Sequence, residues 1–538
     1  MTLAIAIGQQ GGVRLALHGD KAGSHRQTAR FDHAPGLAGR QVAHRDIAVA
    51  ANGDVPAGGC TAAPADHGPV ANDQDRNQAI ASKLIAGNYN HFIIPAQATV
   101  SAYVPNGPAE GGPTVRGLFT ADEYREVRAF FAARPHLSPT PLLDLPGLAR
   151  RLGLGRVMIK DETGRFGLNA FKLLGGRFAM ETLASEGALP PGHTVVCASE
   201  GNHGRAVARA AREAGCQARV YMAADAAPAR VDAIVGEGAT VVRVDGSYDD
   251  AVRRLSADAA AHGWTIVSDT SWDGYERIPR LIMLGYTHMM DEIVAALKSE
   301  PFVSSTAPDD HASSAFDSVI VQGGVGGLLC GIASWCAFHV PTSAVVSVEP
   351  TTAACLQASA RAGRPTAVGG PLATTMAGLR NREVSPLAFQ SLRSTVAAYL
   401  AIDDVWANDA MRTLADPAEG DPMLAAGASG AAALGGLLAV CGDPAMQQVR
   451  ERLSLGATSR VLVLVSEGVT EPALWTEVTG KPVGHSAERG QSRLAGVEAV
   501  DSGSLLLNGI AEVGRGQTIA RNAGFGPANQ LRRGVGSP

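Results

Sequence analysis

Between residues 116 and 482 helical hydrophobic periods alternate with short β-branched runs, whereas residues 1–115 and 483–538 sustain neither a 3.6 nor a 2.0 period. The first helical period covers residues 121–134, with Thr120 as N-cap, Glu123 completing a capping box, and Pro135, Pro139 and Pro141 closing it. The spacing then predicts strands over residues 157–160, 194–198, 218–222, 240–244 and 265–268. Helices are expected between them over residues 171–186, 204–214 and 228–237. Residues 318–322, 344–348 and 461–465 are nearly continuous apolar runs, the pattern of strands covered on both faces. The alternation predicts an α/β fold with parallel strands and short βαβ connections.

The ends differ in texture. Residues 1–115 are rich in Gly, Ala, Asp, His and Pro, and residues 483–538 interleave Gly with Arg, so both are expected to be largely disordered appendages. His18, His25, His33, His44, His67 and His91 lie in the first of them without shared ligand spacing, and no metal site is expected. A net charge of -5 with scattered basic residues gives no footprint for nucleic acid. The first residues have no basic leader, and the longest apolar run, residues 431–441, falls short of the roughly 20 residues that span a bilayer, so the expectation is cytoplasmic, without membrane contact. The 7 cysteines show no CxxC spacing and are expected as core thiols, although Cys330, Cys336 and Cys355 are near enough in sequence for one pair to bridge.

Within this frame RFGLNAFKLLGG, from Arg165 to Gly176, is followed by Ser199-Glu200-Gly201-Asn202-His203-Gly204. An amine can condense with the aldehyde of pyridoxal phosphate, and an asparagine on a glycine-flanked turn can reach the ring hydroxyl of that cofactor. An arbitrary lysine is a solvated cation, but Ala170, Phe171, Leu173, Leu174 and Gly175 would help desolvate Lys172. Lys160 competes for the same role, yet Asp161 and Glu162 beside it would keep it charged. The run Gln322-Gly323-Gly324-Val325-Gly326-Gly327 follows a strand and precedes an apolar helix, where backbone N–H groups can approach a phosphate. A dinucleotide reading, with Glu349 as its acidic residue, leaves Lys172 and Asn202 unexplained. Ser466-Glu467-Gly468 ends a strand, which is an ordinary turn unless the hydroxyl faces a pyridine nitrogen; a neutral partner there suits β-elimination better than transamination.

Residues 118–482 resemble the fold-type II pyridoxal phosphate enzymes, the tryptophan synthase β-like family. Within it, KDETGRFGLNAFK (160–172), Gly201-Asn202-His203-Gly204-Arg205, DTSWDGYERIP (269–279), Met376-Ala377-Gly378-Leu379 and Ser466-Glu467-Gly468 are similar to the diaminopropionate ammonia-lyases. Threonine dehydratases and cysteine synthases share the lysine, asparagine and glycine loop, but the segment starting at Asp269 is not expected in them. The resemblance implies a two-domain fold with a smaller α/β subdomain at about residues 180–300. It implies that Lys172 forms the internal aldimine, Asn202 contacts the ring O3′, Gly323, Gly324, Val325, Gly326 and Gly327 hold the phosphate, and Ser466 faces the ring nitrogen. Two acids flank the substrate in that family. One matches Asp269, and the other matches Glu200, where the family has aspartate, so the carboxylate is moved by roughly an ångström. The implied reaction turns 2,3-diaminopropionate, by way of an external aldimine and aminoacrylate, into pyruvate and ammonia, in a homodimer. A threonine or serine dehydratase is the same-class alternative, a catalytically silent binding protein of the same fold is the alternative from another class, and a dinucleotide-dependent oxidoreductase is a distant third.

Overall fold

The structure, a computed structural model, describes residues 98–105, 117–199, 201–299 and 315–483, together with the backbone of four strands within residues 2–49. Its larger sheet has seven strands in the order Val100–Tyr103, Ala398–Ile402, Ala344–Pro350, Ser318–Gln322, Arg460–Val465, Arg156–Asp161, Leu142–Asp144. The five central strands run parallel, and the two outermost pair antiparallel with their neighbours. The apolar runs behave as expected of doubly covered strands: Val157, Ile159, Ile320, Val461 and Val463 enter one core, while Met158, Val319, Val321, Leu462 and Leu464 enter the other. Each such side chain contributes about 1.5–3 kcal/mol when fully buried.

Helix Ala428–Gly442 lies across the larger sheet and is buried almost throughout. Its small residues permit that approach, since a Cβ at Gly430 would stand 2.1 Å from the Glu467 carbonyl oxygen. The smaller sheet is wholly parallel, in the order Thr240–Val244, Gln217–Ala223, Thr194–Ala198, Thr265–Ile266. Helices Asn202–Glu213, Pro228–Gly236 and Tyr248–His262 connect its strands.

The first helix runs Ala121–Ala132 with the expected reciprocal capping box between Thr120 and Glu123. Strand Ala398–Ile402 and the two outermost strands were not anticipated. Within the stretch expected to lack order, residues 100–103 form an edge strand of the larger sheet, and Thr2–Ile7, Val13–His18, Thr28–Phe31 and Ile47–Val49 pair antiparallel as a separate four-stranded sheet. The runs TLAIAI and VRLALH alternate large apolar residues with small or polar ones, a period of two too brief to stand out along the sequence. The expectation for residues 484–538 lies outside the described residues. Cys197, Cys216, Cys330, Cys336, Cys355 and Cys441 are free thiols, so no bridge joins Cys330, Cys336 or Cys355. Among the described residues no helix is long and apolar enough to cross a membrane.

Candidate active site

Five loops leave the carboxyl ends of parallel strands and meet at one place: those after Asp161, Ala198, Ile266, Gln322 and Val465. Ligands of open parallel sheets bind at such ends, because the strand order sends successive connections apart there and leaves a crevice. Lys172, Asn202, Asp269, Gly323 to Gly327 and Ser466 all lie on these loops or at the helix starts they lead into.

The first loop brings Lys172 to the start of helix Leu173–Ser185. Its path is unusual for residues with a Cβ, since Phe166 and Asn169 hold φ of 53° and 58°. Two sets of contacts hold it there. Arg165 is 1% exposed and bonds Glu162 (2.7 and 2.6 Å) and Glu292 (2.7 and 2.6 Å), while Arg205 bonds the Leu168 carbonyl at 2.9 Å. On the other side Gly468 donates to the Asn169 carbonyl at 2.9 Å and Phe171 donates to the Ser466 carbonyl at 3.3 Å. The loop is thereby stitched to the end of strand Arg460–Val465.

Lys172 Nζ lies 2.5 Å from Asp269 Oδ2, with the two side chains 24% and 19% exposed. The desolvation expected from the neighbours of Lys172 therefore comes together with a counter-ion. Burial alone would raise the Asp269 carboxyl, but His203 and Lys172 beside it hold it well below the usual carboxylate range. The loop of Asp269 is fixed by its own side chains. Tyr275 donates from its hydroxyl to the Ile266 carbonyl at 2.8 Å and accepts from the Ser268 amide at 3.0 Å, and Trp272 stacks on Tyr275 at 4.0 Å. Ser271 and Ser385 share a hydroxyl bond of 2.7 Å.

The glycine run lies where strand Ser318–Gln322 turns into helix Gly327–His339. Gly326 caps that helix with φ of 96°, and a Cβ at Gly323 would stand 2.7 Å from Glu349 Cγ. No side chain can be placed at either position without strain, so the run presents backbone to the crevice at a helix N-terminus, where the peptide dipoles favour an anion. A Cβ at Gly327 would stand 3.5 Å from the Asp269 carbonyl oxygen, which puts the cup beside the Lys172–Asp269 pair. Behind the cup, burial pushes the Glu349 carboxyl up to about 8 against the bonds it accepts from the Leu356 and Gln357 amides. An amine, an anion cup and a polar ring partner in one crevice fit a phosphorylated pyridine aldehyde.

Asn202 opens helix Asn202–Glu213, and its amide donates to Glu467 Oε2 at 2.5 Å. Ser466 is buried at the end of its strand. Lys172, Asp269, Asn202, Ser466 and Gly323 to Gly327 thus converge, whereas Glu200 lies outside the described residues. Lys160 does not join them: it is 1% exposed and bonds Glu292 at 2.5 Å, so it is a sealed core ion instead of the strand-end cation that Asp161 and Glu162 suggested. Sequence reasoning passed over two groups. Burial pushes the Glu467 carboxyl up to about 7, against the pull of Ser429, Asn202 and Lys172. His203 lies with Nδ1 3.7 Å from Asp269 Oδ2. The signal for both was their place inside motifs that had been read for the neighbouring Ser466 and Asn202.

The family described as pyridoxal-phosphate dependent enzyme matches residues 133–467. The diaminopropionate ammonia-lyase of Escherichia coli K12 is 37% identical over 378 residues, covering 67% of this chain and 92% of that protein. The enzyme of that name from Salmonella typhimurium is 35% identical over 385 residues, covering 67% and 93%. The crystal structure of the Escherichia coli diaminopropionate ammonia lyase in complex with an aminoacrylate-PLP azomethine reaction intermediate aligns over 71% of this chain and 97% of its own, with a TM-score of 0.63 and 34% identity.

Proposed function

This chain belongs to the pyridoxal-phosphate dependent enzyme family, and we propose that it is an ammonia-lyase that converts 2,3-diaminopropionate into pyruvate and ammonia by α,β-elimination. The observation that carries this reading is the pairing of Lys172 with Asp269 beside the glycine cup, on two segments similar to the diaminopropionate ammonia-lyases. Pyridoxal phosphate, when bound, supplies an aldehyde that takes up an amine and a ring that draws electrons from the neighbouring carbon. Lys172 would hold it covalently through Nζ, the N–H groups of Gly323 to Gly327 its phosphate, Asn202 its ring hydroxyl and Ser466 its ring nitrogen.

Asp269 carries the proton work in this proposal. While Nζ is a cation, Oδ2 is its counter-ion; once Nζ is engaged elsewhere, Oδ2 is left as a carboxylate able to accept the α-proton of the substrate. Glu200 is the second proposed acid, serving the opposite isomer. Glu467 holds the amide of Asn202 so that the asparagine keeps one orientation. Homodimerisation is proposed on the family resemblance alone, and a cytoplasmic location is proposed beside it.

Single-turnover assay of the holoenzyme with separate D- and L-diaminopropionate tests the reading. Pyruvate from at least one isomer, with D269N and E200D changing the ratio between isomers, is the expected result. Faster release of 2-oxobutyrate from threonine would favour the dehydratase reading, and failure of both isomers to give pyruvate would overturn the assignment. A bound-cofactor absorbance band that disappears in K172A counts against a silent binding protein.

A further inference from the structure

His203 has the geometry of a proton store for Asp269. Its Nε2 lies 3.0 Å from the Val267 carbonyl oxygen. A carbonyl only accepts, so Nε2 carries the ring hydrogen, and in the neutral ring Nδ1 is left with a bare lone pair. That lone pair faces Asp269 Oδ2 at 3.7 Å, with the side chains 11% and 19% exposed. Two electron-rich atoms in so little water repel unless a proton lies between them. The gap is wider than a hydrogen bond and of a width that one water can bridge.

The other groups that face Asp269 among the described residues leave this role open. Lys172 shares the same carboxylate oxygen. Burial together with the Asp269 charge pushes up Cys197 on strand Thr194–Ala198, Tyr275 on the loop and Tyr286 on helix Arg277–Tyr286, so all three stay neutral. When Lys172 Nζ is engaged, His203 is the neighbour among these that presents a bare nitrogen lone pair to Oδ2.

We propose that His203 is the proton-holding and positioning partner of Asp269, sharing between Nδ1 and Oδ2 the proton that Asp269 takes up. The substrate C–H bond breaks, its electron pair stays with the substrate, the proton passes from Oδ2 to Nδ1, and an imidazolium then faces a carboxylate. The identity of the proton rests on the elimination reading above, whereas the protonation of the pair does not.

Two measurements test this. In cofactor-free protein labelled with 15N-histidine, the neutral His203 ring is expected as the Nε2–H tautomer, and its pKa is expected to fall by about one unit or more in D269N. An Nδ1–H tautomer, or a pKa indifferent to D269N, would overturn the proposal. In the holoenzyme, H203Q keeps a donor toward Val267 but cannot hold the proton. It is expected to lower kcat about 10- to 100-fold and to move the acid limb of kcat/KM down by more than about one pH unit, with cofactor absorbance and melting temperature unchanged. An unshifted pH profile overturns it, whether or not the rate falls. If the wild type releases no pyruvate, the proposed reaction fails while the tautomer experiment still decides the pair.

Discussion

Lys160 and Lys172 leave the same strand end and each meets a carboxylate at 2.5 Å, yet their surroundings differ in kind. Lys160 is sealed with Glu292, Glu162 and Arg165, all at most 8% exposed, and Thr140 accepts from Lys160 through its carbonyl and from Arg165 through its hydroxyl. Among the described residues Lys172 has one carboxylate within ion-pair distance, and it remains about a quarter open. A charge with every partner in place has nothing left to exchange, and removing one partner strands the others in low dielectric. A charge with a single partner at the mouth of a crevice can trade it for a ligand. The closed cluster holds the loop in shape, and the open pair uses that shape.

The difference can be attacked from either side. The largest effect is expected from K172A: turnover falls by at least about a thousandfold and the cofactor absorbance band disappears, while the melting temperature stays near that of the wild type. E292Q should do the reverse. It leaves Lys160 and Arg165 with Glu162 as their remaining counter-ion, so denaturant unfolding should show a loss of about 3–5 kcal/mol, with any surviving folded protein still forming the absorbance band. An E292Q protein of normal stability would dissolve the contrast. D269N comes next, with kcat/KM for one isomer expected to drop about a hundredfold and stability little changed.

The smallest effect concerns pH. The folded Glu467 carboxyl is raised from its ordinary 4.5 to about 7, so the stability it contributes is present below pH 4.5 and lost as pH rises through about 7. Cofactor-free E467Q should therefore gain stability relative to wild type between those limits, by about 3 kcal/mol in urea melts at pH 8 compared with pH 4. A constant difference across that range would mean that Glu467 is not the strained acid its burial implies.

The chemistry of the site was more legible than its construction. Lys172, Asn202 and the glycine run stand beside their own local signals, because an amine, a turn and a helix start are properties of short segments. The partner of Lys160 was hidden for the opposite reason. Its sequence neighbours Asp161 and Glu162 pointed to a charge held at the strand end, but its direct partner Glu292 arrives from a distant helix, and only the fold brings them together. The positive φ of Phe166 and Asn169 is equally silent in sequence, since neither residue is glycine and the contacts that hold them come from Gly468, Ser466 and Arg205. Ala398–Ile402 escaped notice although it is wholly buried.

That strand has a practical consequence. Its outer neighbour is the four-residue strand Val100–Tyr103, which belongs to a stretch that sequence alone would tempt one to trim. A chain begun at residue 116 would lose this cover and bare the backbone of AYLAI, an apolar, charge-free edge inviting pairing between molecules. Shortening the protein by that route should therefore yield precipitate before it yields a smaller enzyme, while a start upstream of residue 98 keeps the edge closed.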